Sequence, residues 1–212
     1  MPLSKPVRRE LHHTRTVVCQ GFQREDGLWD IEGHMTDVKT RSLDNPERDG
    51  YVPAGEPFHD MWLRLTLDPG LKIHRVEAAI DASPFKICPG IAGAFRKLES
   101  TRIGPGWQRQ VKELLGGVQG CTHLSEMLIP LATTAVQTLW PSAREDVMKL
   151  GAQVMLNSCH GWAQNGSVIK QYLPDLYTEQ LPASAAGKKT TDTGDVQPIE
   201  VAPGSAPARQ ND

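Results

Sequence analysis

No stretch of this 212-residue chain is apolar for long enough to cross a membrane, and no apolar segment follows the basic start Met1-Pro2-Leu3-Ser4-Lys5-Pro6-Val7-Arg8-Arg9-Glu10. A soluble, cytoplasmic protein with no membrane partner is therefore expected. Basic clustering is missing too. The 23 Lys and Arg are scattered among 25 Asp and Glu, giving a net charge of −2, and this leaves no electrostatic footprint for a nucleic-acid backbone. Cysteine is sparse: Cys19, Cys88, Cys121 and Cys159 lack the density of a disulfide scaffold, so all four are expected reduced. Internal repeats are absent. The glycine turns Gly104-Pro105-Gly106 and Gly116-Gly117-Val118-Gln119-Gly120 match neither dinucleotide nor P-loop spacing, which leaves nicotinamide or ATP chemistry without support.

What is present suits one substantial core with loose ends. Residues 182–212 are Ala, Gly, Pro, Ser, Thr and charge, with too little apolar surface to offset the entropy of ordering, so a disordered tail is expected there and fraying over 1–10. That leaves a single domain over 11–181. Within it the hydrophobic period changes once. Extended segments at about 13–23, 27–39, 56–68 and 71–82 come first, with Glu25-Asp26-Gly27 and Asp68-Pro69-Gly70 as turns, while 43–50 reads as an exposed loop. Helical segments follow near 90–99, 106–115, 122–139, 142–163 and 168–177, the fourth opened by a capping box at Ser142-Ala143-Arg144-Glu145. Strands first and helices after predict an α+β fold: an antiparallel four-stranded meander whose one face is covered by a helical half.

Alternation sorts the side chains of that sheet. Trp29, Ile31 and Met35 share an apolar face with His59, Met61, Leu63, Leu65, Val76 and Ile80. Glu32, Arg64, Arg75 and Glu77 fall on the other, where cross-strand ion pairs in solvent account for them. His59 stands out as a polar group in the apolar row that needs a partner, and Asp60 beside it points the opposite way next to Trp62. Asp81 ends the last strand.

The chemistry of the helical half centres on Gly120-Cys121-Thr122-His123-Leu124. A thiol and an imidazole stand two residues apart at a helix start, where the first-turn N–H groups carry partial positive charge that favours a thiolate. A small buried cysteine and a packed histidine are the plainer reading. His59, Asp60, Asp81, Cys121 and His123 are the candidate catalytic groups, expected in one cleft between the sheet's end and the 122–139 helix. Trp29, Trp62 and Arg64 are candidate substrate contacts.

Glu25-Asp26-Gly27-Leu28-Trp29-Asp30-Ile31-Glu32-Gly33-His34, His59-Asp60-Met61-Trp62-Leu63-Arg64-Leu65, Val76-Glu77-Ala78-Ala79-Ile80-Asp81-Ala82-Ser83-Pro84-Phe85 with Cys88-Pro89, and Gly116 through Leu124 together resemble the bacterial DUF2889 family, over residues 10–178. The resemblance implies a place in aromatic catabolism, where some relatives resemble cofactor-independent lyases that release formaldehyde from lignin-derived dimers. Such a retro-aldol needs a base for an alcohol proton, a group that stabilises the developing anion, and an apolar slot for rings. The partner would be a small aromatic molecule, no cofactor would be needed, and a homo-oligomer is compatible with the pattern. Two other readings stay open. Cys88, Cys121, His123 and His59 have ligand chemistry for Zn or Fe. A non-enzymatic small-molecule-binding accessory protein would use the same residues structurally.

Overall fold

The computed structural model describes residues 3–139, 152 and 155–181. The chain divides into two compact units, Met1–Leu156 and Asn157–Asp212, and each is described by itself. Among its described residues the first holds six strands: β1 (His13–Gln23), β2 (Trp29–Lys39), β3 (Leu43–Asn45), β4 (Gly50–Val52), β5 (Pro57–Leu67) and β6 (Ile73–Ala82). β1, β2, β5 and β6 form one antiparallel sheet in that order, so the meander expected from the alternation is present, with β3 and β4 as a separate hairpin inserted between β2 and β5. The hairpin corrects the reading of 43–50 as plain loop. Asp49 (φ 55°) and Gly50 (φ 99°) adopt left-handed dihedrals that turn the chain, and Leu43–Asn45 pairs with Gly50–Val52 on either side. The Asn45 side chain then donates to the Pro84 carbonyl at 3.1 Å and accepts from the Glu47 N–H at 2.9 Å.

After β6 the chain runs through a 3₁₀ segment, Cys88–Leu98, then α1 (Trp107–Leu115) and α2 (Thr122–Leu139). These cover the apolar face. Ile31, Met35, Leu63, Leu65 and Leu67 of the sheet are buried with Phe95, Leu98, Leu115, Leu124 and Leu131 in one cluster. The segment expected as helix near 90–99 is 3₁₀, with Pro89 at its start and Gly90 and Gly93 inside it. α2 lies close over β1 and β2 because two glycines clear its path. A Cβ at Gly33 would stand 3.2 Å from the Leu131 side chain, and one at Gly21 would run into Thr138. The Trp107 indole N–H donates to the Leu128 carbonyl at 3.3 Å, tying α1 to α2 in the buried layer.

In the second unit, α3 (Ser167–Tyr172) lies between single 3₁₀ turns at His160–Trp162 and Pro174–Leu176. The Asn157 side chain accepts from the Gln164 backbone N–H at 2.9 Å and its amide donates to the Gln164 side chain at 3.3 Å, closing the loop between them. Most of the helix expected over 142–163, with its capping box, lies outside the described residues, and so does the 182–212 tail. Among the described residues no helix is long and apolar enough to cross a membrane.

Candidate functional site

Along β2 the side chains alternate strictly, so Asp37 falls on the same face as Trp29, Ile31 and Met35 and is carried into the protein at 2% exposure. A carboxylate there needs partners. β1 and β5 supply them. Arg15 is directly opposite Asp37 on one side and His59 on the other. Arg15 grips the carboxylate with a fork, Nε to Oδ1 and Nη2 to Oδ2, both at 2.8 Å. His13 Nε2 donates to Oδ1 at 2.8 Å, and His59 Nδ1 donates to Oδ2 at 2.8 Å. Two donors on each oxygen leave Asp37 saturated. Burial alone would push this carboxyl up, but the bonds from Arg15, His13 and His59 outweigh it and hold the group well below the usual carboxylate range.

A β-bulge aims His59. The register steps from Asp37 opposite His59 to Val38 opposite Pro57, leaving Phe58 as the extra residue. Phe58 meets the His59 ring edge-on at 5.3 Å. His59 is 9% exposed, and an ionised carboxylate accepting from Nδ1 puts the proton of the neutral ring on that nitrogen and leaves Nε2 with its lone pair.

The start of α2 closes the cluster. The His123 ring lies 4.0 Å from the His59 ring, tilted by 37°. Cys121, just ahead of the helix, has its sulfur 4.0 Å from His123 Nδ1. Glu126, one turn further along, accepts from Arg15 Nη1 at 3.2 Å. Burial lowers the basicity of both imidazoles. For His59 the neighbouring His123 charge adds to this, while the Asp37 bond opposes it. For His123 the Arg15 charge adds to it. Two neutral imidazoles thus face each other beside an ionised carboxylate.

Those shifts set a pH dependence. A histidine whose folded pKa is lowered binds fewer protons folded than unfolded, so its neutral form stabilises the fold at high pH and that contribution is lost as pH falls below about 6.5. Asp37, also lowered, adds a second loss below about pH 4. A melting temperature that declines in two stages between pH 7 and pH 3 is expected. A flat or rising curve between pH 7 and 5 would contradict the burial of neutral imidazoles.

His59, Cys121 and His123 lie close together. Asp60 and Asp81 do not join them. Asp60 follows His59 on a strand and therefore points through to the outer face, where it accepts from His34 Nε2 at 2.7 Å. Asp81 is the extra residue of the bulge opposite Asp60–Met61 and is exposed. The residues expected as candidate substrate contacts are separated by the same alternation. Trp29 is buried in the core, at 7% exposure. Trp62 lies on the outer face, stacked on His34 at 3.6 Å and 5°. Arg64 lies there too, donating to Glu32 at 2.7 Å and Glu77 at 3.3 Å as the cross-strand pairing predicts. Both line an outer depression of about 370 Å³ that His59 does not reach. Cys88 opens the 3₁₀ segment. Among the described residues the side chains with ligand atoms mutually within 4.8 Å are Asp37, His59 and His123, so neither Cys88 nor Cys121 belongs to that set. Asp37, Arg15, His13 and Glu126 were not anticipated. Asp37 was open to detection, being in phase with Met35, whereas Arg15 and His13 lie on an exposed strand with no contrast between its faces.

Fold and site together define an α+β protein with a buried carboxylate and imidazole cluster at one end of a helix-covered antiparallel sheet. The chain belongs to the DUF2889 family, a protein family of unknown function, whose sequence profile matches residues 13–137 and so spans the whole sheet and nearly all of α2. No curated protein and no solved structure matches it.

Proposed function

We propose that the Asp37, His59 and His123 cluster is a proton-transfer centre and that the protein is a cofactor-independent carbon–carbon lyase, releasing formaldehyde from an aromatic dimer that carries a hydroxymethyl group. The observation that carries the reading is the His59 Nδ1–H bond to the saturated Asp37 carboxylate, which fixes one tautomer and presents Nε2 as a base beside a second neutral imidazole. In the reaction, His59 Nε2 takes the hydroxyl proton, the bond between the hydroxymethyl carbon and its neighbour breaks, and the carbon–oxygen double bond of formaldehyde forms. The released electron pair needs an acceptor, which a benzylic hydroxyl on the neighbouring carbon and a para phenol supply: loss of water from them gives a quinone methide before the cleavage. The pair then closes the new carbon–carbon double bond and restores the ring as its phenolate, and that oxygen takes the proton back from the imidazolium directly or through His123. Substrate class and reaction type follow the family resemblance; the roles of the residues follow the geometry.

A metal centre is the second reading, supported by the closeness of the Asp37, His59 and His123 ligand atoms. Against it, every Asp37 oxygen is already taken by donors, and the Arg15 charge rests on the carboxylate that would have to meet the cation. The test is a formaldehyde assay with a 1,2-diarylpropane-1,3-diol, on protein made without a histidine tag and dialysed against chelator. Release by the wild type, unchanged by chelation and lost in His59→Ala, is expected. No release above the His59→Ala level across a panel of such diols would sink the lyase reading, and activity lost to chelator and restored by Zn or Fe would replace it with the metal one.

A further inference from the structure

The two edges of the main sheet are treated differently. The β6 edge is occupied: Ile73 bonds through its N–H to the Thr101 carbonyl at 2.9 Å and through its carbonyl to Ser100 N–H at 2.7 Å, the Val76 N–H donates to Glu99 at 3.2 Å, and Lys72 bridges to Arg102. Among the described residues the β1 edge carries no such cover. Its eleven residues pair with β2 in unbroken register, and among the described residues no other strand pairs with it. β1 contains no proline, no lysine and no bulge, the usual devices that keep a free edge from taking up another strand. It also exposes Val17, Val18 and Phe22 at 42%, 45% and 43%. The side chains of His13 and Arg15, its charged or chargeable groups, are turned inward onto Asp37, so the strand offers no uncompensated charge to repel a copy of itself.

We propose that β1 is the seam of a homodimer, in which two β1 strands pair antiparallel about Val18 and join the two sheets into one of eight strands. Val18 is the midpoint of His13–Gln23, so this register alone pairs the strand over its full length. It is also self-consistent. Core-facing residues meet core-facing ones, with Val17 opposite Cys19 and Arg15 opposite Gly21 of the second copy, while on the outer face Val18 meets Val18 and Thr14 meets Phe22. No like charges oppose each other. The Trp62, His34 and Val18 row, in register across β5, β2 and β1, would continue through the axis into the two-fold-related row of the second copy. A strand of eleven residues is short of the roughly 20–30 residues a side of a stable interface. The rest comes from α2, which lies over the same strand and carries the exposed row Glu126, Ile129, Thr133 and Gln137 on its solvent side. The seam would place Arg15, which holds Asp37, within the interface.

Light scattering on the full chain should give twice the monomer mass. Val18→Lys sets two ammonium groups face to face at the axis and should halve that mass while leaving the circular dichroism unchanged, since Val18 is on the exposed face. Cys19→Ser with Val18→Cys should form an intermolecular disulfide under mild oxidation, because directly opposed strand positions are within disulfide reach, whereas Cys19→Ser alone should not. A wild-type monomer overturns the proposal. A dimer that survives Val18→Lys and fails to crosslink through Val18→Cys overturns it equally, by placing the interface elsewhere.

Discussion

Asp37→Ala is expected to be the most damaging single substitution in the protein, lowering stability by about 3 kcal/mol and the melting temperature by about 10 °C. The carboxylate is all but fully buried and receives four hydrogen bonds from Arg15, His13 and His59. Removing it leaves two imidazoles and a guanidinium facing a void, with Glu126 the acceptor that remains to Arg15. The lower end of the range for a broken buried pair applies, because the Arg15 and His13 side chains are each 37% exposed and water can recover part of their hydration. Asp37→Asn isolates the electrostatic part. It keeps the volume but turns one acceptor into a donor against the Arg15 fork or His59, so it should recover little stability and should release the fixed tautomer of His59. Activity in either variant should fall by about a hundredfold or more. Thermal unfolding and formaldehyde release check both, and an Asp37→Ala protein that melts with the wild type would show that the cluster does not hold this end of the sheet.

The period-two pattern carried most of what could be read without coordinates. Met61, Leu63 and Leu65 alternating with Trp62 and Arg64 gave the buried and open faces correctly, Thr66 departs from the alternation by being buried with its hydroxyl donating to Asp30 at 2.7 Å, and the single change to helical period separated sheet from cover. The same pattern already contained two corrections to the candidate site. Asp60 is adjacent to His59 on an extended strand, so the two could not share a cleft, and Trp29 lies in the apolar row that the helices bury. Asp37 was legible by continuing the β2 alternation two residues past Met35, where an acid in a buried phase demands a partner. Arg15 was not. β1 is an edge strand exposed along nearly its whole length, so hydrophobicity draws no line between its faces, and only the pairing register sets Arg15 opposite Asp37. The β3–β4 hairpin escaped for a related reason: three residues on each side are too few to establish a period, and its turn residues describe a loop equally well.

His123→Ala should separate catalysis from folding. His59→Ala removes a donor from the saturated carboxylate and so costs stability as well as activity, whereas the polar contact of His123 is with the Cys121 sulfur at 4.0 Å, at the outer limit for such a bond. The His123→Ala protein should therefore melt within a few degrees of the wild type and still lose about a hundredfold or more in kcat, if His123 passes or stabilises the proton that His59 removes. A pH profile supplies a readout that packing alone would not move. Burial lowers the His59 pKa first and the charge of His123 lowers it further. With His123 gone the second influence disappears, so the acid limb of the residual activity should shift to higher pH, toward the ordinary histidine value of about 6.5. Cys121→Ser completes the set. The hydroxyl is nearly isosteric with the thiol, so the rate should survive if Cys121 only packs against His123, and should fall alongside the His123→Ala rate if the sulfur shares in the proton path. An unchanged acid limb in His123→Ala, together with full activity, would mean that the two imidazoles lie 4.0 Å apart without acting on one another, and His59 would then have to work with Asp37 alone.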